Sequence, residues 1–194
     1  MAEPNYLTID VDYAFSPSIS EYDDYVVGNS IGIEKQLHVI KDLGLEAIEN
    51  PIKVKEIKNC LDLIKKNAPV HIIKYHHEIL DCLPTSTNFK LYNIDHHHDI
   101  FYPGWHDKEK LDEGNWVYHL KGCTEYTWIR NTDSENMPQH SLEFVVNEMF
   151  LDDNTLKKLP QFDSVIFCES PHWTGGKGIS TIDKLINELM KKCL

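Results

Sequence analysis

The chain has 194 residues, of which 41% are hydrophobic and 26% charged, and its formal net charge is −12. That length is about one domain's worth and buries a core without covalent staples. The acidic balance argues against a nucleic-acid partner, and no apolar run reaches the roughly 20 residues of a membrane span. In chain order, "YLTIDVDY" at 6–13 reads as a buried strand ending in carboxylates. "IGIEKQLHVIKDLG" carries Ile33, Leu37, Ile40 and Leu43 at helical spacing, with Gly44 as its stop. A second amphipathic helix is predicted over 54–67, with Ile57, Leu61 and Ile64 on one face. After Pro69 comes a β-branched strand, "VHIIKYHH", then a helical turn in "EILDCL". "FKLYNIDHH" at 89–97 is the next strand, and 101–114 is a polar, aromatic loop. A short helix in "NWVYHL", a strand at 125–131 and a polar loop at 132–141 follow. "SLEFVVNEMF" fits either strand or helix, 162–170 is a strand, and "TGGKG" is a tight turn. The closing helix is "ISTIDKLINELMKKCL", capped near Ser180 or Thr181.

Strands alternating with helices predict an α/β fold over 1–194: three α-β-α layers around a mostly parallel sheet. The acidic start "MAEPNYLTIDVD" has no signal-peptide core. The five cysteines, odd in number and without a CxxC pair, read as buried or free thiols in a reducing compartment. A cytoplasmic protein with no membrane partner is expected, and "TGGKG" lacks the spacing of a phosphate loop.

Parallel sheets place their sites at the carboxyl ends of strands. Four predicted strands end in suitable groups: Asp10 and Asp12, His76–Glu78, Asp95–Asp99, and Glu169. If "DHHHD" is extended, Asp95, His97 and Asp99 point one way and His96 and His98 the other; "DVD" has the same period. His76 or His77 adds an imidazole. Four carboxylates and two imidazoles suit Mn²⁺ better than thiolate-loving zinc. They have the charge for two divalent ions, and such a pair activates water. Glu169 follows an apolar run, and a guanidinium fork is its natural partner.

These motifs resemble the arginase (ureohydrolase) superfamily: "NIDHHHDI" its Asp-x-His-x-Asp, "TIDVDYAF" its Asp-x-Asp, and "FCESP" its substrate glutamate. With "VHIIKYHHEIL" and "EGNW", they are similar to the small peptide arginases of ribosomal peptide biosynthesis. The resemblance implies that Asp10, Asp12, His76, Asp95, His97 and Asp99 hold two Mn²⁺ ions. A hydroxide bridging them would attack the guanidinium carbon of an arginine residue in a precursor peptide, giving urea and ornithine. Glu169 would anchor the guanidinium. His98, His106, His119 and His172 are unranked proton-shuttle candidates. Asn115 and Trp116 would line the entrance, with Trp116 equally readable as core. The Asp-x-Asp segment precedes the Asp-x-His-x-Asp here, the reverse of ordinary arginases. The loop after Asp99 does not resemble their free-amino-acid loop, which favours a peptide substrate. Competing readings are an Asp-His-His-type Mn²⁺ phosphoesterase, which "NIDHH" fits, a one-metal zinc deacetylase on the arginase fold, and a metal-stabilised peptide-binding module. The phosphoesterases want a further histidine–aspartate motif and a second domain, for which 194 residues leave no room. A one-metal deacetylase leaves Asp12, His76 and Asp99 over.

Overall fold

Six strands pair in one sheet: β1 (Asn5–Asp10), β2 (Val70–Ile73), β3 (Phe89–Ile94), β4 (Cys123–Arg130), β5 (Val145–Phe150) and β6 (Ser164–Cys168). Their order is β2-β6-β1-β3-β4-β5, and every pairing is parallel. The chain is thus an α/β protein whose sheet is wholly parallel. This computed structural model describes residues 2–15, 48–101, 109–132, 134 and 136–193. The helix expected around Ile33–Leu43, His106 and the side chain of His172 lie outside them.

From β1 the chain passes to β2 on one side, and from β3 it continues through β4 to β5 on the other. The β1–β3 junction is therefore a topological switch point, where an open α/β sheet leaves a crevice beyond its strand ends. Last in the chain, β6 slots between β2 and β1. The four strands predicted to end in site groups are consequently neighbours: β2, β6, β1 and β3.

Alternation along the strands sorts two cores. Leu7, Ile9, Val165 and Phe167 face α1 (Pro51–Leu61) and α4 (Gly178–Cys193), which contribute Ile57, Leu61, Ile182 and Leu185. Phe89, Leu91, Tyr126, Trp128 and Ile166 face the other way. That side is covered by 3-10 turns at His76–Asp81 and Trp116–His119, through Ile79, Trp116 and Val117. Among the described residues the third layer is thus built of short 3-10 turns, at the helical turn read in "EILDCL" and the short helix read in "NWVYHL". Two four-residue helices, α2 (Asp153–Leu156) and α3 (Pro171–Thr174), are also found among the described residues.

Boundaries moved where side chains captured the backbone. α1 starts at Pro51, three residues before the predicted 54, because the Asn50 side chain accepts the Ile52 N–H at 3.0 Å and Pro51, which has no N–H, needs no acceptor. It ends at Leu61; Ile64 leaves the helix to bridge Phe162 beside β6. The ambiguous 141–150 segment becomes the exposed edge strand β5. Gly175 and Gly176 take φ of 59° and 79°, in keeping with the tight turn read in "TGGKG". Ser180 and Thr181 lie inside α4 and do not cap it; the Gly178 N–H at its start donates to Thr174 Oγ1 at 3.1 Å. No described helix is long and apolar enough to cross a membrane.

Candidate metal centre

Asp10 and Asp95 each stand one residue beyond the last β1–β3 pair, Ile9–Ile94, at the switch point. Neither strand runs on as predicted: β1 turns into a 3-10 turn at Val11–Ala14, and β3 stops at Ile94. Convergence comes instead from two matching Asx turns. Asp10 Oδ1 accepts the Asp12 N–H at 3.1 Å, and Asp95 Oδ1 accepts the His97 N–H at 2.8 Å. Each aspartate folds the side chain two residues on back over its strand end. The extended-chain account of "DVD" and "DHHHD" is thereby corrected, although the residues it singled out do meet.

They meet as two donor groups, Asp10–His76–Asp95 and Asp12–Asp95–His97, each with ligand atoms within 4.8 Å of one another. His76 Nδ1 lies 3.3 Å from Asp10 Oδ2, 3.0 Å from Asp95 Oδ2 and 2.8 Å from Asp99 Oδ2. His97 Nδ1 lies 2.9 Å from Asp12 Oδ2 and 3.8 Å from Asp95 Oδ1. Asp95 belongs to both groups and turns one oxygen toward each histidine. Asp99 is in neither group; it reaches the cluster through His76, from a backbone held at φ 52°. The histidine of the pair is His76, since His77 stacks on Tyr75 at the cluster's margin. Glu78 is spent on the turn, accepting the Lys74 and Tyr75 N–H groups at 2.8 and 3.2 Å.

The electrostatics call for a cation. Asp10, Asp12, Asp95 and Asp99 are all buried. Burial, then the charges of Asp12 and Asp95, pushes Asp10 well above the usual carboxylate range. Asp95 is raised by burial and then by Asp99. Burial works against a charged His76, but Asp95 and Asp99 override it and raise its pKa well above the ordinary value. Yet Nδ1 of His76, in reach of three carboxylate oxygens, has no hydrogen bond of acceptable geometry. Oxygen and nitrogen atoms about 3 Å apart and poorly aligned for hydrogen bonding match adjacent ligands of an octahedral ion with bonds of about 2.1 Å. The residues therefore fit a metal ion.

Other expected residues fall around this cluster. His98 is buried against Trp128, and its Nδ1 accepts the Ile100 N–H at 3.1 Å. Burial and then His97 pull its pKa down to about 3. Asn115 closes its own loop: Oδ1 accepts the Asp112 N–H at 2.9 Å and Nδ2 donates to the Lys110 carbonyl at 2.7 Å. Trp116 is fully buried and lines no entrance; its indole N–H donates to Asp99 Oδ2 at 2.6 Å. Trp116 thus supports Asp99 and packs against His76. His119, on the same 3-10 turn, is half-buried.

No family model, curated protein or solved structure matches this chain.

Glu169 directly follows β6, and its N–H donates to the Ile73 carbonyl at 3.0 Å. Alternation along β6 assigns its side chain to the face of Val165 and Phe167, opposite Asp10 and Asp95. Trp173 packs on that same face and its ring lies 4.7 Å from that of His97. Glu169 is half-buried, and its carboxylate has no hydrogen bond or ion pair among the described residues. Three contributors were not singled out from the sequence: Thr8, Asn93 and Tyr126. The signal was present in "TID" and "NID", where a polar residue stands two positions before an aspartate and so shares its face.

Proposed function

We propose that the chain is a manganese-dependent hydrolase with two metal ions, acting on arginine residues of a peptide to give ornithine and urea. The observation that supports this most is the sharing of Asp95 between two buried aspartate–histidine groups. One carboxylate reaching into two sites is what a bridging ligand does. A bound pair of divalent cations would supply a water activated at neutral pH. Asp10, His76 and Asp95 would hold one ion, and Asp12, Asp95 and His97 the other, with Asp99 steadying His76.

In the proposed reaction the oxygen of water joins the guanidinium carbon and the bond from that carbon to Nε breaks. Nε leaves with a proton as the ornithine amine, and the carbon departs as urea. Glu169, expected to anchor the guanidinium, leaves β6 toward the sheet face opposite Asp10 and Asp95 and has no part in the proposed reaction.

The test is incubation of the Mn²⁺-treated protein with arginine-containing peptides. Mass spectrometry should find a loss of about 42 Da per converted arginine, the difference between a guanidinium and an amine, with urea released. Unchanged peptide masses across varied arginine contexts would contradict the proposal, and cleavage of a phosphodiester to a phosphomonoester and an alcohol would point to the phosphoesterase.

A further inference from the structure

Two residues before Asp10 and Asp95, and on the same face, Thr8 and Asn93 stand opposite each other on β1 and β3. Both are fully buried in the middle of the sheet. Polar side chains at such depth are costly unless partnered. Asn93 Nδ2 donates to Asp95 Oδ2 at 3.1 Å and to the Tyr126 hydroxyl at 3.0 Å. Thr8 Oγ1 lies 3.1 Å from His76 Nε2.

The Thr8 contact has a specific consequence. His76 presents Nδ1 to the carboxylates of Asp10, Asp95 and Asp99, so Nε2 is the nitrogen left for Thr8. An imidazole ligates through a nitrogen that carries no proton; a neutral ring that ligates through Nδ1 holds its proton on Nε2 and needs an acceptor there. The Thr8 hydroxyl oxygen is that acceptor. Partners of this kind fix both the tautomer and the ring angle of ligating histidines.

We infer that Thr8 is a positioning residue that turns the Nδ1 lone pair of His76 toward a metal ion, and that it serves the Asp10–His76–Asp95 group alone. The inference rests on the metal reading of the site. Among the described residues the Thr8 hydroxyl bonds no member of the other group. Loss of the hydroxyl therefore weakens one metal equivalent and spares the second, an asymmetry that general loosening of the fold would not produce.

The experiment is Mn²⁺ titration by calorimetry of the wild type, Thr8→Val and Thr8→Ser, each first melted in chelator to establish folding. Valine keeps the shape and removes the acceptor; serine keeps the acceptor. The expected result for Thr8→Val is about a 10–100-fold weaker binding of one equivalent with the other unchanged, and near wild-type binding for Thr8→Ser. Should the valine variant fail to fold, Thr8→Ala is read in its place. Wild-type affinity at both equivalents without the hydroxyl, equal weakening of both, or failure of serine to restore binding overturns the inference alone. A wild-type chain that takes up no Mn²⁺ removes the metal reading as well.

Discussion

Asp10 shows how a single side chain is placed against its own stability. Its carboxyl sits at a strand end, buried beside Asp12 and Asp95, and is held well above the usual range by burial and by those charges. A carboxyl whose folded pKa is raised contributes stability that is fully present below its unfolded value, near 3.8, and lost as pH rises through the raised one. In chelator the Asp10→Asn variant should therefore melt higher than wild type once pH exceeds that raised value, since an amide still accepts the Asp12 N–H. Mn²⁺ should reverse the order, raising the wild-type midpoint more. Thermal melts over a pH series, with and without metal, check both signs. Trp116→Phe tests the support of Asp99: losing the indole N–H leaves a buried carboxylate oxygen short of a donor, at about 1–3 kcal/mol in urea unfolding. At this scale the aspartates and His97 were legible because Asp-x-Asp and Asp-x-His are dense and chemically specific. Thr8 and Asn93 were not, because a lone polar residue in an apolar strand has the same appearance whether it supports a ligand or an ordinary turn.

Among the elements, period-two and helical patterns located β1, β2, β3, β4 and β6 to within a few residues and left the segment that becomes β5 open between strand and helix. Local side-chain capture decides where an element stops, and it depends on partners the hydrophobic pattern does not carry. Asn50 drew α1 back to Pro51, and the Asx turns of Asp10 and Asp95 ended β1 and β3 early. The 3-10 turn that brings Trp116 under Asp99 is set by tertiary packing, so its role was read only as a choice between entrance and core. The β6–α4 connection is similarly tight: a methyl group at Gly178 would run into the Glu169 carbonyl and the Val11 side chain. Gly178→Ala should therefore cost about 1–3 kcal/mol in chemical denaturation, the range of an overpacked site. Because the displaced groups flank Glu169 and Asp12, it should also weaken Mn²⁺ binding.

For the molecule as a whole, six parallel strands and a chain reversal at β1–β3 bring residues 10, 12, 76, 95 and 97 to one rim of the sheet. The parallel α/β class could be read from the alternation of elements, whereas the strand order could not: nothing in residues 162–170 tells that β6 inserts between β1 and β2. A buried group of four aspartates is tolerable when cations neutralise it, so metal should stabilise the fold by mass action, about 2.7 kcal/mol at a hundredfold excess over the dissociation constant. The central claim is that Asp95 joins two metal sites. Equilibrium dialysis against Mn²⁺, with metal counted per chain, tests it most directly. Wild type should bind two ions, and Asp95→Ala, which removes a donor from both groups, should lose both. An Asp95→Ala protein that retains two ions, or a folded wild type that holds none, would contradict it.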